Sequence, residues 1–224
     1  IESAQTNTLP MDRWEKQRVA CVAVDDTTRA LGALSAYNRN RAGIPVVAIT
    51  GSNGKTTTRE MTTCVVSRRF SVLVPMGNYN NEIGMPLMMS RIEARHRFAV
   101  LEMGANHAGE IAYLTSLARP DAVLITNAAE AHLEGFGSIE GVAHAKAEIL
   151  QGEPRPQAAV LNADDEYYDY WLSQVEGVDV LSFGLGENAD IRADQIETGR
   201  GQTHFTMHLL DTTLEITLPL AGEH

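Results

Sequence analysis

An α/β fold is the architecture that three observations predict: a mostly parallel sheet with helices on both faces, ending in a small antiparallel β meander. Short segments rich in Val, Ile, Leu and Ala recur at 44–50, 98–103, 122–126, 158–162 and 178–183. They lack the polar alternation of a half-solvated strand, so they read as strands buried on both sides. Helical spacing fills the intervals, and such βα alternation closes into a parallel sheet. After Gly186 the texture changes to polar/apolar alternation over 189–199, 202–210 and 213–218, with Gly199-Arg-Gly201 and Asp211-Thr212 as turns. That is the pattern of antiparallel strands.

In chain order, a short strand at 19–24 and a helix at 27–40, with Ala30, Leu31, Leu34 and Tyr37 on its inner side, lead into a strand ending near Thr50. Helix 56–68, strand 71–75, helix 83–91 and strand 98–103 follow, then helix 109–117, strand 122–126 and helix 139–150. Strand 158–162, helix 165–174 and strand 178–183 complete the alternation. Tyr167, Tyr168, Tyr170 and Trp171 read as packing rather than a base-stacking platform, because they sit in an acidic stretch.

A chain of 224 residues with 44% hydrophobic content can bury a sizeable core. Its net charge of -11, with lysines and arginines scattered, argues against nucleic acid or an anionic membrane as a partner. No apolar run approaches the roughly 20 residues of a membrane span. Cys21 and Cys64 lie in apolar surroundings and are expected to be buried, reduced thiols, and the expected location is cytoplasmic.

The segment Ile44-Pro-Val-Val-Ala-Ile-Thr-Gly-Ser-Asn-Gly-Lys-Thr-Thr-Thr58 runs a β-branched strand into a glycine-punctuated turn, a lysine and three threonines. A turn through Gly51, Ser52, Asn53 and Gly54, with a helix opening at Lys55 or Thr56, would aim backbone N–H groups at a phosphate. Lys55 supplies a point charge for the β- and γ-phosphates. Thr56, with Thr57 beside it, stands where the Mg²⁺ that accompanies ATP takes a hydroxyl. The sheet is thus of the P-loop kind, although Ile49 replaces the first glycine of the usual Gly-x-x-x-x-Gly-Lys-[Ser/Thr] spacing.

Further polar residues gather at strand ends. Glu102 closes a hydrophobic strand, where a carboxylate is costly unless paired or metal-bound; it either reaches a magnesium ion at Thr56 or caps nearby N–H groups. Asn106 and His107 precede a helix, where Asn106 suits an N-cap as well as a substrate contact. Asn80 and Asn81, in an asparagine-rich loop, either donate to phosphate or carboxylate oxygens or serve the turn itself. The strand 122–126 delivers Asn127. In the loop beyond, His132 is a second-metal ligand, a phosphate-positioning group or polar surface. Lys146, among alanines on a helix, reads by pattern as exposed.

Five segments, in this order, resemble the Mur ligases, the ATP-dependent enzymes that add amino acids to the bacterial cell-wall precursor: Thr50-Gly-Ser-Asn-Gly-Lys-Thr56, Gly77-Asn-Tyr-Asn-Asn-Glu-Ile-Gly-Met-Pro86, Leu101-Glu-Met-Gly-Ala-Asn-His-Ala-Gly-Glu-Ile111, Asn127-Ala-Ala-Glu-Ala-His-Leu-Glu-Gly-Phe-Gly-Ser138 and Ala145-Lys-Ala-Glu-Ile149. The resemblance implies that 25–224 is the family's central ATP-binding domain, with an antiparallel appendage at about 187–220. Residues 1–24 would be a remnant of an amino-terminal region and linker, and the carboxy-terminal domain would be absent. It also implies a carboxylate-amine ligase working through an acyl phosphate, most like the branch that joins D-alanyl-D-alanine to a UDP-linked muramoyl peptide. Thr56 and Glu102 would hold a first Mg²⁺, with Glu102 and His132 near a second. Lys146 would be carbamylated into an oxygen ligand, so that Lys55, His132 and Lys146 form the catalytic set. Asn127 would lie near the metals. Asn80 and Asn81 would contact phosphate or substrate, and Asn106 and His107 would face the peptide-nucleotide. The isolated chain is expected to be a monomer that cannot complete ligation. Other readings are a different ligase of the superfamily, such as one extending folate with glutamate, and a catalytically silent nucleotide-binding module; a small-molecule kinase has only the phosphate turn in its favour.

Overall fold

The structure, a computed structural model, describes residues 10–74, 77–131, 133–199 and 201–219. Helices α1 (Met11–Lys16) and α2 (Thr27–Ala42) precede β1 (Val46–Thr50), followed by α3 (Lys55–Val66), β2 (Val72–Leu73), α4 (Gly84–Met89) and β3 (Phe98–Glu102). Then come α5 (Glu110–Ala118), β4 (Ala122–Ile125), α6 (Leu133–Phe136), α7 (Ile139–Ala147) with a 3₁₀ turn at Glu148–Gln151, β5 (Ala158–Asn162) and α8 (Tyr168–Leu172). Strands β6 (Asp179–Gly184), β7 (Ile191–Gly199), β8 (Gln202–Leu209) and β9 (Thr212–Leu218) complete the order.

The strands lie in the order β2-β3-β1-β4-β5-β6-β7-β8-β9. In the centre Val47 of β1 pairs in parallel with Val100 on one side and Ala122 on the other. The chain leaves β1 toward one edge and later returns on the other side, so the carboxyl ends of β3, β1 and β4 flank a topological switch point, where open α/β sheets place ligands. Alternation along the strands sorts the core. Val46, Ala48, Leu101, Val123, Ile125 and Leu161 join a large cluster with residues of α4, α5, α7 and α8, while Val47, Ile49, Val72, Val100 and Leu124 form a smaller one with Val66 of α3 on the opposite face. Helices therefore lie on both faces, as expected, but unevenly.

Several expectations need correction. No strand forms at 19–24 beyond an isolated bridge at Val24, and Val19 and Val22 are exposed. On α2, Ala30 and Leu31 are half-buried as expected, but Leu34 and Tyr37 face outward; the helix packs through Gly32, Ser35, Ala36 and partly buried polar residues. Its neighbours present carbonyls, which Asn38 meets at Met89 and Ile92 and Arg39 at Ala118. A side chain at Gly32 would collide with the Tyr113 hydroxyl, so close approach took precedence over apolar spacing. The strand expected at 71–75 is shortened to β2, and Pro75 lies outside the described residues. The helix expected from Asp165 is trimmed to α8 because the Asp165 side chain accepts from Tyr167 N, 2.9 Å, in a local turn. Trp171 is fully buried and donates to Ala143 O, so that aromatic cluster packs as expected. Neither cysteine is buried: both are free thiols, Cys21 half-buried and Cys64 exposed.

The meander is not a separate appendage. β7 pairs with β6 in parallel only at Phe183↔Ile191 and Gly184↔Arg192, so it begins where β6 ends and continues the sheet past its carboxyl rim. Asp190 fixes that step by accepting from Ser182 N and Oγ, at 2.8 and 2.7 Å.

Candidate active site

The phosphate turn is buckled in place by the end of β4. Gly51 sits at φ +141° and Gly54 at +81°, conformations that favour glycine, and a Cβ at Gly51 would collide with the Thr126 side chain. Thr126 Oγ1 donates to Asn53 O at 2.6 Å; Asn127 accepts from Ser52 N with its backbone oxygen and from Asn53 N with its side chain, at 3.0 and 2.9 Å. The Ser52 hydroxyl bonds both backbone groups of Ala129. The amides of Ser52 and Asn53 thus hold the loop rather than facing outward. Among the described residues no hydrogen bond engages the N–H groups of Gly54, Lys55 and Thr56, which open the amino-terminal end of α3. Lys55 Nζ folds over the turn onto Gly51 O and Ser52 O, at 2.7 and 2.9 Å. Burial lowers its pKa, and the Glu102 charge opposes that shift.

Glu102 is 3% exposed and fully engaged. Its carboxylate accepts from Thr56 Oγ1 at 3.0 Å and Asn80 Nδ2 at 2.8 Å, and meets Arg59 Nη1 at 3.1 Å. All three partners are side chains, so capping of backbone N–H groups is not its role. Arg59 was not singled out from the sequence, yet it stands three residues after Thr56, the helical spacing that shares a face. Its guanidinium is buried, also bonds Gly77 O at 2.9 Å and Glu60 at 2.6 Å, and among the described residues leaves Nε without a hydrogen-bond partner. One side chain therefore ties α3, β3 and the asparagine loop together. Thr126 and Asp165, which accepts from Ala128 N at 2.7 Å, were likewise passed over; each follows a strand end, the signal that found Asn127.

Lys146 is 2% exposed, its ammonium 5.5 Å from the centre of the Phe136 ring, which overturns the surface lysine read from pattern. Alanines on both sides of it pack into the core, and the helix turns that face inward. Burial first, then Lys55, lowers its pKa to about 8 against the pull of Glu148 and Glu110. Lys55 thus stands within electrostatic reach of both Glu102 and Lys146.

The remaining candidates divide. Asn80 reaches Glu102, whereas Asn81 Oδ1 accepts from Ile83 N and Gly84 N and so serves the turn before α4. Asn106 is not an N-cap: Gly109 occupies that position in α5, and Glu148 accepts from Gly109 N and Ala112 N at 2.7 and 2.9 Å. Asn106 N donates instead to Glu110, which also pairs with the exposed His107. Thr57 is exposed, and His132 lies outside the described residues. Among the described residues no cluster of three or more His, Cys, Asp or Glu is placed to hold a metal. A hydroxyl and one carboxylate 3.0 Å apart do fit a magnesium ion that takes its other oxygens from phosphates and water.

Residues 49–224 match the family model of the Mur ligase middle domain. The chain belongs to the Mur ligase family. It is 43% identical over 202 residues to the UDP-N-acetylmuramoyl-tripeptide–D-alanyl-D-alanine ligase of Escherichia coli (strain K12), covering 90% of this chain and 45% of that protein. Among solved structures it is similar to the UDP-N-acetylmuramoylalanyl-D-glutamyl-2,6-diaminopimelate–D-alanyl-D-alanyl ligase of Acinetobacter baumannii (TM-score 0.84, 36% identity, 91% and 45% covered). It is also similar to the MurF ligase of Thermotoga maritima in complex with ADP (TM-score 0.73, 29% identity, 88% and 45% covered). The chain spans about half the length of the curated relatives it matches. Among the described residues of this Mur ligase chain, no helix is long and apolar enough to cross a membrane.

Proposed function

We propose that the protein carrying this chain is an ATP-dependent ligase that joins D-alanyl-D-alanine to a UDP-N-acetylmuramoyl tripeptide, through an acyl phosphate, in making the peptidoglycan precursor. Similarity to ligases of that name supports the reading. The observation that carries it is the buried Glu102 bonded to Thr56 beneath a turn whose open N–H groups and Lys55 suit a polyphosphate.

In this reaction a carboxylate oxygen of the tripeptide attacks the γ-phosphorus of ATP, and the bond to the ADP oxygen breaks. The dipeptide amine then adds to the acyl carbon, and phosphate departs with the carboxylate oxygen. No protein nucleophile is needed, so the chain's work is positioning and charge stabilisation. Lys55 exchanges its bonds to Gly51 O and Ser52 O for phosphoryl oxygens. The N–H groups of Gly54, Lys55 and Thr56 hold phosphate, while Asn127 and Thr126 keep the turn in shape. Mg²⁺, held by Thr56 and Glu102, would neutralise charge growing on the phosphoryl oxygens. In this reading the buried Lys146, whose lowered pKa makes the neutral amine easier to reach, takes up CO₂ as a carbamate. His132 belongs in this reading to a second metal. Asn80, Asn81, Asn106 and His107 line the side for the peptide-nucleotide, Asn80 as donor and Asn81 by shaping the loop. Residues 25–224 would serve as the central ATP-binding domain of a monomeric, cytoplasmic enzyme.

An acceptor panel on the full-length protein tests this reading. D-Alanyl-D-alanine should be joined to the muramoyl tripeptide with release of ADP and phosphate. Joining L-glutamate to a folate while ignoring the muramoyl peptide would overturn it.

A further inference from the structure

Ligation by this route settles every charge but leaves one proton to place. The dipeptide arrives largely as an ammonium at neutral pH, the ordinary α-amino pKa being about 8. Only its neutral form carries the lone pair that adds to the acyl carbon, and the adduct must shed the proton before phosphate leaves. Lys55 and Mg²⁺ are cations, Glu102 is already engaged by three side chains, and His132 and Lys146 belong to metal in that reading. The proton needs a base elsewhere on the rim.

The segment between β3 and α5 holds one. His107 Nδ1 meets Glu110 Oε1 at 3.2 Å, and the other oxygen of Glu110 accepts from Asn106 N at 2.7 Å. Burial would raise the Glu110 pKa, but those bonds outweigh it and hold the carboxyl below the ordinary 4.5. The carboxylate therefore accepts from Nδ1–H, which leaves the lone pair on Nε2. Among the described residues Nε2 has no hydrogen-bond partner, and the ring is exposed. An imidazole held by an anchored carboxylate and open at its other nitrogen is oriented for proton transfer.

Its surroundings tie it to the phosphate site. A Cβ on Gly135 of α6 would collide with Asn106 O and stand 3.3 Å from His107 Cδ2, and the next residue, Phe136, faces the Lys146 ammonium. Glu110 is within electrostatic reach of Lys146 and lines a cavity of about 370 Å³, part of whose wall is Gly104, bonded through its N–H to Asn80 O. The elements packed around the segment contribute Glu110 on α5, Glu134 on α6, Glu148, which accepts from Gly109 N, and Glu82 across the cavity. These draw an approaching ammonium rather than repel it, and the guanidinium of Arg29 on α2 is stacked on the Tyr113 ring at 4.1 Å.

We propose that His107, oriented by Glu110, is the general base that takes the proton from the dipeptide amine as it joins the acyl phosphate; the assignment rests on the ligase reading above. The amine nitrogen forms its bond to the acyl carbon, its proton passes to Nε2, and the carbon–oxygen bond breaks with its electron pair leaving on phosphate. The imidazolium then returns the proton to solvent. Glu110 is a positioning residue that keeps Nδ1 protonated and the ring turned.

The test uses the full-length protein with ATP, Mg²⁺ and the muramoyl tripeptide. Two nucleophiles compete for the acyl phosphate: D-alanyl-D-alanine, and hydroxylamine, which is already unprotonated at neutral pH. Relative to wild type, His107→Gln should shift the partition from dipeptide product toward hydroxamate by about 100-fold, the scale of a lost general base. Glu110→Gln should shift it the same way and by less. The shift should shrink above about pH 8, where the dipeptide amine arrives neutral, and added imidazole should partly reverse it in His107→Ala. A wild-type partition in His107→Gln, whether both products fall together or neither does, overturns the base assignment while the ligase reading stands. So does a shift that neither pH nor imidazole moves. Neither ligated product nor hydroxamate from the wild type overturns the ligase reading and the assignment with it.

Discussion

The guanidinium of Arg59 answers a buried carboxylate at the point where the nucleotide would bind, so its removal has two consequences. Arg59→Met strands Glu102 and is expected to cost about 3 kcal/mol, read as a lower denaturant midpoint, with weaker Mg²⁺·ATP binding. Arg59→Lys should recover part of both, since an ammonium replaces the charge but cannot span Glu102, Gly77 and Glu60 together. Unchanged stability in the Met variant would mean that Glu102 finds its compensation elsewhere. Gly51→Ala meets a positive φ and the Thr126 side chain at once, and should cost about 2 kcal/mol and open the turn, with nucleotide binding lost in calorimetry. At this scale the sequence was legible wherever backbone and chemistry coincide, as in Gly51, Lys55, Thr56 and Glu102. It was mute about Arg59, and pattern alone read Lys146 as exposed where only the family resemblance drew it into the site, because burial of a charged side chain is decided by partners far away in the chain.

Among elements, the join between β6 and β7 depends on Asp190. Hydrogen bonds from Ser182 hold its carboxyl below the ordinary 3.8, although burial pulls the other way. A lowered carboxylate contributes stability that is present above the ordinary value and lost as pH falls through the lower folded one. Asp190→Asn should therefore melt earlier than wild type near neutral pH, with the gap closing in acid; a gap independent of pH would contradict the account. The core strands were legible because buried parallel strands read as unbroken apolar runs. Strand 19–24 failed because the segment forms one isolated bridge at Val24 instead of a ladder and leaves Val19 and Val22 exposed, so apolar content there does not report burial. The inner face of α2 failed because small and polar residues make its contacts. The continuity of the meander with the main sheet was hidden as well, since two ladder pairs and one aspartate make that link.

For the whole molecule, a nine-stranded sheet carries the phosphate turn and the Glu102 cluster along one rim. The βα alternation announced that rim, and the switch point at β3, β1 and β4 locates the site on it. What the pattern could not supply was the third dimension of the loops: Asn81 shapes a turn, Asn80 reaches the carboxylate, and Glu148 rather than Asn106 caps α5. The central claim is that this rim drives phosphoryl transfer to a substrate carboxylate. It is tested most directly by labelling the reacting carboxylate of the muramoyl tripeptide with ¹⁸O and following the label in the full-length protein. The account predicts one labelled oxygen in the released phosphate, none in ADP, and no transfer in Lys55→Ala. Unlabelled phosphate accompanying ligated product, or release of AMP and pyrophosphate, would contradict it.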